Sequence, residues 1–239
     1  MRYGVQGTME FAKRMERFET GIFSKLLDLK SARLAAGGTV VLSGNITIDN
    51  ASKSFTIQNA VTLDLNGFSI TRSGDSSSKL FAIKNNGSLT LNDSKGTGTV
   101  NSTYPVQLYS NATFIMNGGT ISDNEALCGA GIHSATRDGL EINGGSIVDN
   151  IATGDGGGIY VRRYAFKNKY DKLLVANRAI VSNNKAKKNG GGLWIGDNLN
   201  ATIEKGSQVY NNRADIMGDD IYFSGTNSTL NLPEATEMS

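Results

Sequence analysis

Cysteine occurs once in this chain, as Cys128, and histidine once, as His133. One thiol excludes an internal disulfide framework. One imidazole excludes a metal cluster built on several histidines and leaves a Ser-His-Asp triad a single place to form. Proline is almost missing, with 2 residues in 239. No run approaches the roughly 18 apolar residues of a membrane helix, so no membrane span is expected. No charge sign dominates: 24 Lys and Arg stand against 22 Asp and Glu. Nothing therefore pulls the whole chain toward nucleic acid, which is not expected as a partner. The opening stretch MRYGVQGTMEFAKRMERF has no apolar core of the secretory kind, which keeps a cytoplasmic location open.

Glycine, by contrast, is abundant at 29 residues, and asparagine is frequent. Loops rich in both and poor in proline suit a backbone that turns often and needs positive φ at its corners. The turning is periodic. Gly118–Asn124 reads GGTISDN and Gly144–Asn150 reads GGSIVDN; weaker copies follow as Arg178–Asn184, RAIVSNN, and Gly206–Asn212, GSQVYNN. Two places beyond each Asn stands Ala126, Ala152, Ala186 or Ala214. Eight or nine places beyond stands Ile132, Ile159, Leu193 or Ile221.

Residues 8–36 follow another period. Phe11, Met15, Phe18, Ile22, Leu26 and Leu29 recur at spacings of three and four, one face of a helix. Thr8 can cap its start, and Gly37-Gly38 ends it. The expectation is an N-terminal α-helical cap, because an uncapped stack of coils exposes its core and its strand edges. Self-association through the same stripe is the alternative.

From Thr39 the period drops to 2. Short alternating runs such as Val61, Leu63, Leu65 are broken by Gly, Asn, Asp or Ser and read as strands. Aligned on an Asn that ends a strand, Asn66, Asn92, Asn117, Asn143 and Asn177 are spaced 26, 25, 26 and 34, with Lys205 a further 28 on. Short strands at this period without intervening helix predict an all-β solenoid, a right-handed parallel β-helix of about seven coils. Residues 1–36 would be its helical cap, 37–229 the rod and 230–239 a tail leaving it. At the usual strand spacing the rod is about 34 Å long. Ile121, Ile147, Ile180 and Val209 are expected as one inward ladder, and Ile132, Ile159, Leu193 and Ile221 as another. Asn124, Asn150, Asn184 and Asn212 are expected to hydrogen-bond from coil to coil at a bend of left-handed backbone.

The pattern G-G-x-I-x-x-N-x-A-x-x-x-G-G-G-I-Y, with AAGGTVVLSGNITI, VTLDLNGFSI and GSLTLNDSKGTGTV upstream, resembles the repeats of right-handed β-helix surface proteins. These include adhesin-like proteins of gut bacteria and, more distantly, the polymorphic outer-membrane proteins of chlamydiae. The resemblance covers about residues 30–225 and implies the fold. The wider pectate-lyase-like superfamily also holds polysaccharide lyases, glycosidases and phage tailspikes, so function must come from sites rather than from the fold.

Four groups of residues are candidates. His133, Tyr160, Trp194 and Tyr222 each follow a second-ladder aliphatic, with Gln107 one coil earlier, so they should point outward and stack. Such a row suits a sugar or a protein partner, although outward aromatics also stabilise strands. The unit of 34 residues gains its length around Arg162–Lys172, where Arg162, Arg163, Lys167 and Lys169 alternate with Tyr164, Phe166 and Tyr170. That composition suits an anionic polysaccharide or a nucleic acid, or else a solvated loop whose aromatics fold back on the rod. Asp123 and Asp149 occupy one place in successive coils, about 5 Å apart, near the spacing of a retaining glycosidase pair. The Asn183 and Asn211 that follow them make a turn column the simpler reading. Cys128 and His133 flank a Gly corner, but a nucleophilic pair needs contact and an orienting group.

The expectation is a non-enzymatic adhesin-like stalk or binding module, at the cell surface or secreted, presenting an outer aromatic and basic face to a glycan or surface protein. No cofactor or metal is expected. The alternatives are a carbohydrate-active enzyme using Asp123 or Asp149, and an intracellular scaffold.

Overall fold

The computed structural model describes residues 36–48, 54–72, 78–109, 111–134, 139–162, 172–176, 178–225 and 227–233. The helical cap expected at 8–36 lies outside these residues but for Ala36. So do Arg163, Tyr164, Lys167 and Lys169 of the basic insertion, although Arg162 and Lys172 lie within them.

The chain forms a parallel β-solenoid. Its strands stack into a first face of eight, second and third faces of seven each, and a short corner face of four. Each strand pairs in parallel with its equivalents one coil before and after; Leu140–Ile142, for example, lies between Thr113–Met116 and Lys172–Val175. Seven stacked strands make six coil-to-coil steps, about six turns and about 29 Å of rod. The first face runs on to Thr229–Asn231, where Leu230 pairs with Ala201. The tail expected from residue 230 therefore starts inside a strand.

Why these residues make strands is visible in their burial. A sheet with one wet face alternates apolar and polar positions. Ala60–Asp64 and Ser88–Asn92 do so, with Val61, Leu63, Leu89 and Leu91 buried and their neighbours not. Stacking at one register turns such positions into ladders: Val61, Leu89, Phe114, Leu140, Leu173 and Ala201 run along the first face. Phe55, Phe81, Val106, Ile132, Ile159, Leu193 and Ile221 run along the third. All three ladder systems merge in one core.

Two expected columns shift. The second-face ladder passes from Ile147 to Val181 and then Val209, not through Ile180, which pairs with Ser146 and Gln208. The register counts back three places from each buried Asn, and the apolar run Ala179-Ile180-Val181 concealed it. The strand-ending column is also displaced at both ends. Asn92 pairs with Asp64 rather than aligning with Asn66, and Ala176 rather than Asn177 follows Val175, the partner of Ile142. Within it, Asn117 Nδ2 donates to Asn92 Oδ1 at 2.9 Å and Asn143 Nδ2 to Asn117 Oδ1 at 3.1 Å.

The buried Asn ladder forms. Asn124 Nδ2 donates to Asn150 Oδ1 at 2.6 Å, Asn150 Nδ2 to Asn184 Oδ1 at 2.8 Å, and Asn184 Nδ2 to Asn212 Oδ1 at 2.9 Å. Each Oδ1 also accepts the backbone N–H of the preceding Asn. Each later amide gives its second proton to the carbonyl of Ile121, Ile147 or Val181. The left-handed residues are not these asparagines but those before them: Asp123, Asp149, Asn183 and Asn211, with φ of 55–58°. Asp and Asn tolerate that region better than other side chains.

Candidate functional site

The outer column of the third face is built by register. Ala82, Gln107, His133, Tyr160, Trp194 and Tyr222 pair successively, one per coil. Coil spacing brings the rings together. His133 meets Tyr160 edge-on at 5.0 Å and 64°; Tyr160 and Trp194 stack at 4.5 Å and 18°; Trp194 and Tyr222 stack at 5.9 Å and 20°. Trp194 leans along its strand over Gly196, where a Cβ would come within 2.6 Å of Cζ3. Glycine at 196 makes room for the indole.

The column is graded in exposure. Ala82, Gln107 and Tyr160 are buried although they point away from the core, while His133, Trp194 and Tyr222 are half-buried. The faces of Tyr160 and Trp194 are spent on each other, so this is no open row of flat platforms. What the column offers outside is ring edges, together with the far face of Tyr222, on which no further ring stacks among the described residues.

Gln107 fixes the state of His133. Its Nε2 donates to the carbonyls of Leu108 and His133 at 3.0 and 3.2 Å, which leaves Oε1 to accept from His133 Nδ1 at 2.6 Å. The proton therefore sits on Nδ1. Burial, with the charge of Lys79 adding to it, pushes the imidazole down to about 4. At neutral pH the ring is uncharged and acts as part of the stack.

Cys128 and His133 are not brought together as a pair. His133 is held by Gln107 and Tyr160. Cys128 Sγ lies against Gly154, where a Cβ would come within 3.0 Å. Burial pushes its thiol above the ordinary value, and Asp155, Lys188 and Arg162 are close enough for their charges to act on it. A raised thiol is a poor nucleophile.

The carboxylates have backbone work. Asp123 and Asp149 stack with Asn183 and Asn211 as the exposed left-handed corner, so the geometry accounts for their recurrence without catalysis. Asp155 Oδ1 accepts from Asn189 N and Nδ2 at 3.0 and 2.9 Å. Asp219 and Asp220 accept from Ala214 and Asn212. Among the described residues, no three His, Cys, Asp or Glu side chains are grouped to hold a metal ion.

Arg162 is exposed where the third-face strand of Tyr160 ends, its N–H donating to Ser134 O at 2.9 Å. Several polar residues escaped the sequence reading. Lys79 lies over the Tyr104 ring at 4.2 Å and Lys84 over Tyr109 at 5.0 Å. Arg72 is buried, its Nε donating to Ser102 Oγ at 3.0 Å and its Nη2 to Ser78 O. The alternation Ile70-Thr71-Arg72 was the available signal for Arg72, since it puts Arg72 on the side of Ile70.

The fold defines the class, a parallel β-solenoid. Compared with protein-family models, curated proteins and solved structures, the chain gives no significant match.

Proposed function

We propose that this chain is a non-enzymatic binding module of an adhesin-like bacterial surface protein, a stiff rod that presents its third face to a glycan. The observation that supports this most is the outer column of stacked rings, half-open at Trp194 and Tyr222. Stacking orders the rings before any ligand arrives, so little side-chain entropy remains to be lost on binding. An extended polymer lying along the rod axis meets one ring per coil step of about 4.8 Å. It meets them side-on, and can stack only on the far face of Tyr222. Arg162 and the Arg163, Tyr164, Lys167 and Lys169 that follow it in sequence favour an acidic glycan.

Trp194 is the only tryptophan, so its fluorescence reports directly on the site. Acidic and neutral polysaccharides titrated into the protein should shift its emission. Tyr222→Ala and the charge-removing Arg162→Gln should each weaken binding several-fold while leaving the melting temperature within a few degrees. A glycan array and whole bacterial or host cells that retain no protein would sink the reading. So would binding that neither substitution changes.

A further inference from the structure

We infer that Asp219 and Asp220 are a built-in stop that ends coil stacking and keeps the C-terminal end of the rod from associating with a second copy of this chain. In the two preceding coils their places are held by glycines, Gly157-Gly158 and Gly191-Gly192. Gly192 aligns with Asp220, since Leu193 N donates to Asp220 O at 2.9 Å, and Gly191 aligns with Asp219 through Gly192 N and Asp219 O at 3.0 Å. At 158 and 192 a side chain would run into the next coil's backbone carbonyl and its asparagine together. A Cβ on Gly158 would lie 2.9 Å from Asn184 Nδ2, and one on Gly192 2.7 Å from Asn212 Nδ2.

Among the described residues no further asparagine stacks on Asn212, and position 220 carries a side chain. Asp220 Oδ1 accepts Asn212 N at 3.0 Å and Asn212 Nδ2 at 2.9 Å. Asn212 Oδ1 accepts the same two groups of Asn184 at 2.9 and 2.9 Å. The carboxylate thus takes on Asn212 the place that the next asparagine's amide oxygen takes on Asn184. Asp219 Oδ1 takes a second edge donor, Ala214 N, at 2.8 Å.

The end needs such protection. Val209, Ile221, Phe223 and Leu230 continue the inward ladders but are only partly buried, and Ile216 and Met217 are 61% and 55% exposed. Open edge strands over apolar side chains are a template for pairing. The two carboxylates occupy the corner donors, block a further Asn in the ladder, and set negative charge where a second rod end would bring the same charge.

The experiment restores the inner-coil residues with Asp219→Gly/Asp220→Gly and measures mass by light scattering across a range of concentrations. The wild type should show no contact through its C-terminal coil, while the glycine variant associates through it. Met217→Cys in a Cys128→Ser background, with and without the glycine pair, locates the contact by disulfide-linked dimers. The milder Asp219→Asn/Asp220→Asn keeps the acceptors, and so the fold, but removes the charge and adds donors; it too should associate, at higher concentration. If both variants stay monomeric, or if the wild type already cross-links at position 217 as readily as the variants, the inference is overturned.

Discussion

Removing the Asn150 side chain should cost far more than removing any surface asparagine. Asn150 is fully buried. Its Oδ1 accepts Asn124 N at 3.2 Å and Asn124 Nδ2 at 2.6 Å; its Nδ2 donates to Ile121 O at 3.1 Å and Asn184 Oδ1 at 2.8 Å. Asn150→Ala strands Asn124 N and Asn124 Nδ2 and breaks the bond to Ile121 O in a buried space, while Asn184 Oδ1 keeps the backbone N–H of residue 150. At about 1 kcal/mol or more for each of three unsatisfied buried groups, the loss is about 3 to 5 kcal/mol. Its upper end reaches the whole stability of the least stable domains, in a range of about 5–15 kcal/mol. Asn117 is the control. It also bonds to asparagines above and below, but it is exposed, and water replaces what is lost. Asn117→Ala should cost at most about 1 kcal/mol. Urea unfolding followed by circular dichroism measures both. If Asn150→Ala falls within about 1 kcal/mol of wild type, or no further than Asn117→Ala, the buried ladder is not what holds this corner.

Other expectations follow from the same geometry. Gly192→Ala brings a Cβ to 2.5 Å from Asp220 O and 2.7 Å from Asn212 Nδ2; it should destabilise by about 3 kcal/mol or more. Gly44→Ala meets nothing within 4 Å and should be neutral or stabilising by up to about 1 kcal/mol; reversal of that order in a thermal melt would refute the close-approach argument. His133 is neutral when folded and is held down to about 4, chiefly by burial and then by Lys79. Above pH 6.5 neither state binds its proton and nothing is lost. Between pH 6.5 and about 4 the unfolded chain takes up a proton that the folded chain refuses, so stability falls with pH, by up to about 3 kcal/mol. His133→Gln should flatten that part of the profile, and an imidazole resonance titrating near 6.5 in the folded protein would contradict the buried, neutral ring.

The periodic part of this molecule was readable because stacking acts on every coil alike. Ile132, Ile159, Leu193 and Ile221 were identifiable as one ladder, and Asn124, Asn150, Asn184 and Asn212 as another, since each position has to suit its own copy one step along the rod. The aromatic column was readable for the same reason: the residue after an inward aliphatic points out. Reading failed where the pattern was locally ambiguous. Ile180 and Val181 are both apolar, and only hydrogen-bonded register decides which turns inward.

By itself, then, the sequence determined that the chain coils, which residue types line the core and which recur at the corners, because those are nearest-neighbour requirements repeated along one dimension. Tertiary structure decided what depends on distance and water. It turned the faces of Tyr160 and Trp194 against each other, at 4.5 Å, and left His133, Trp194 and Tyr222 half-open while burying Tyr160. It made Asp220 the substitute for an absent asparagine. It also gave Cys128 and His133, five residues apart in sequence, different surroundings: Gln107 holds His133, while Cys128 is half-buried beside Asp155. Those outcomes depend on which atoms reach each other after stacking, and on how much water is left between them.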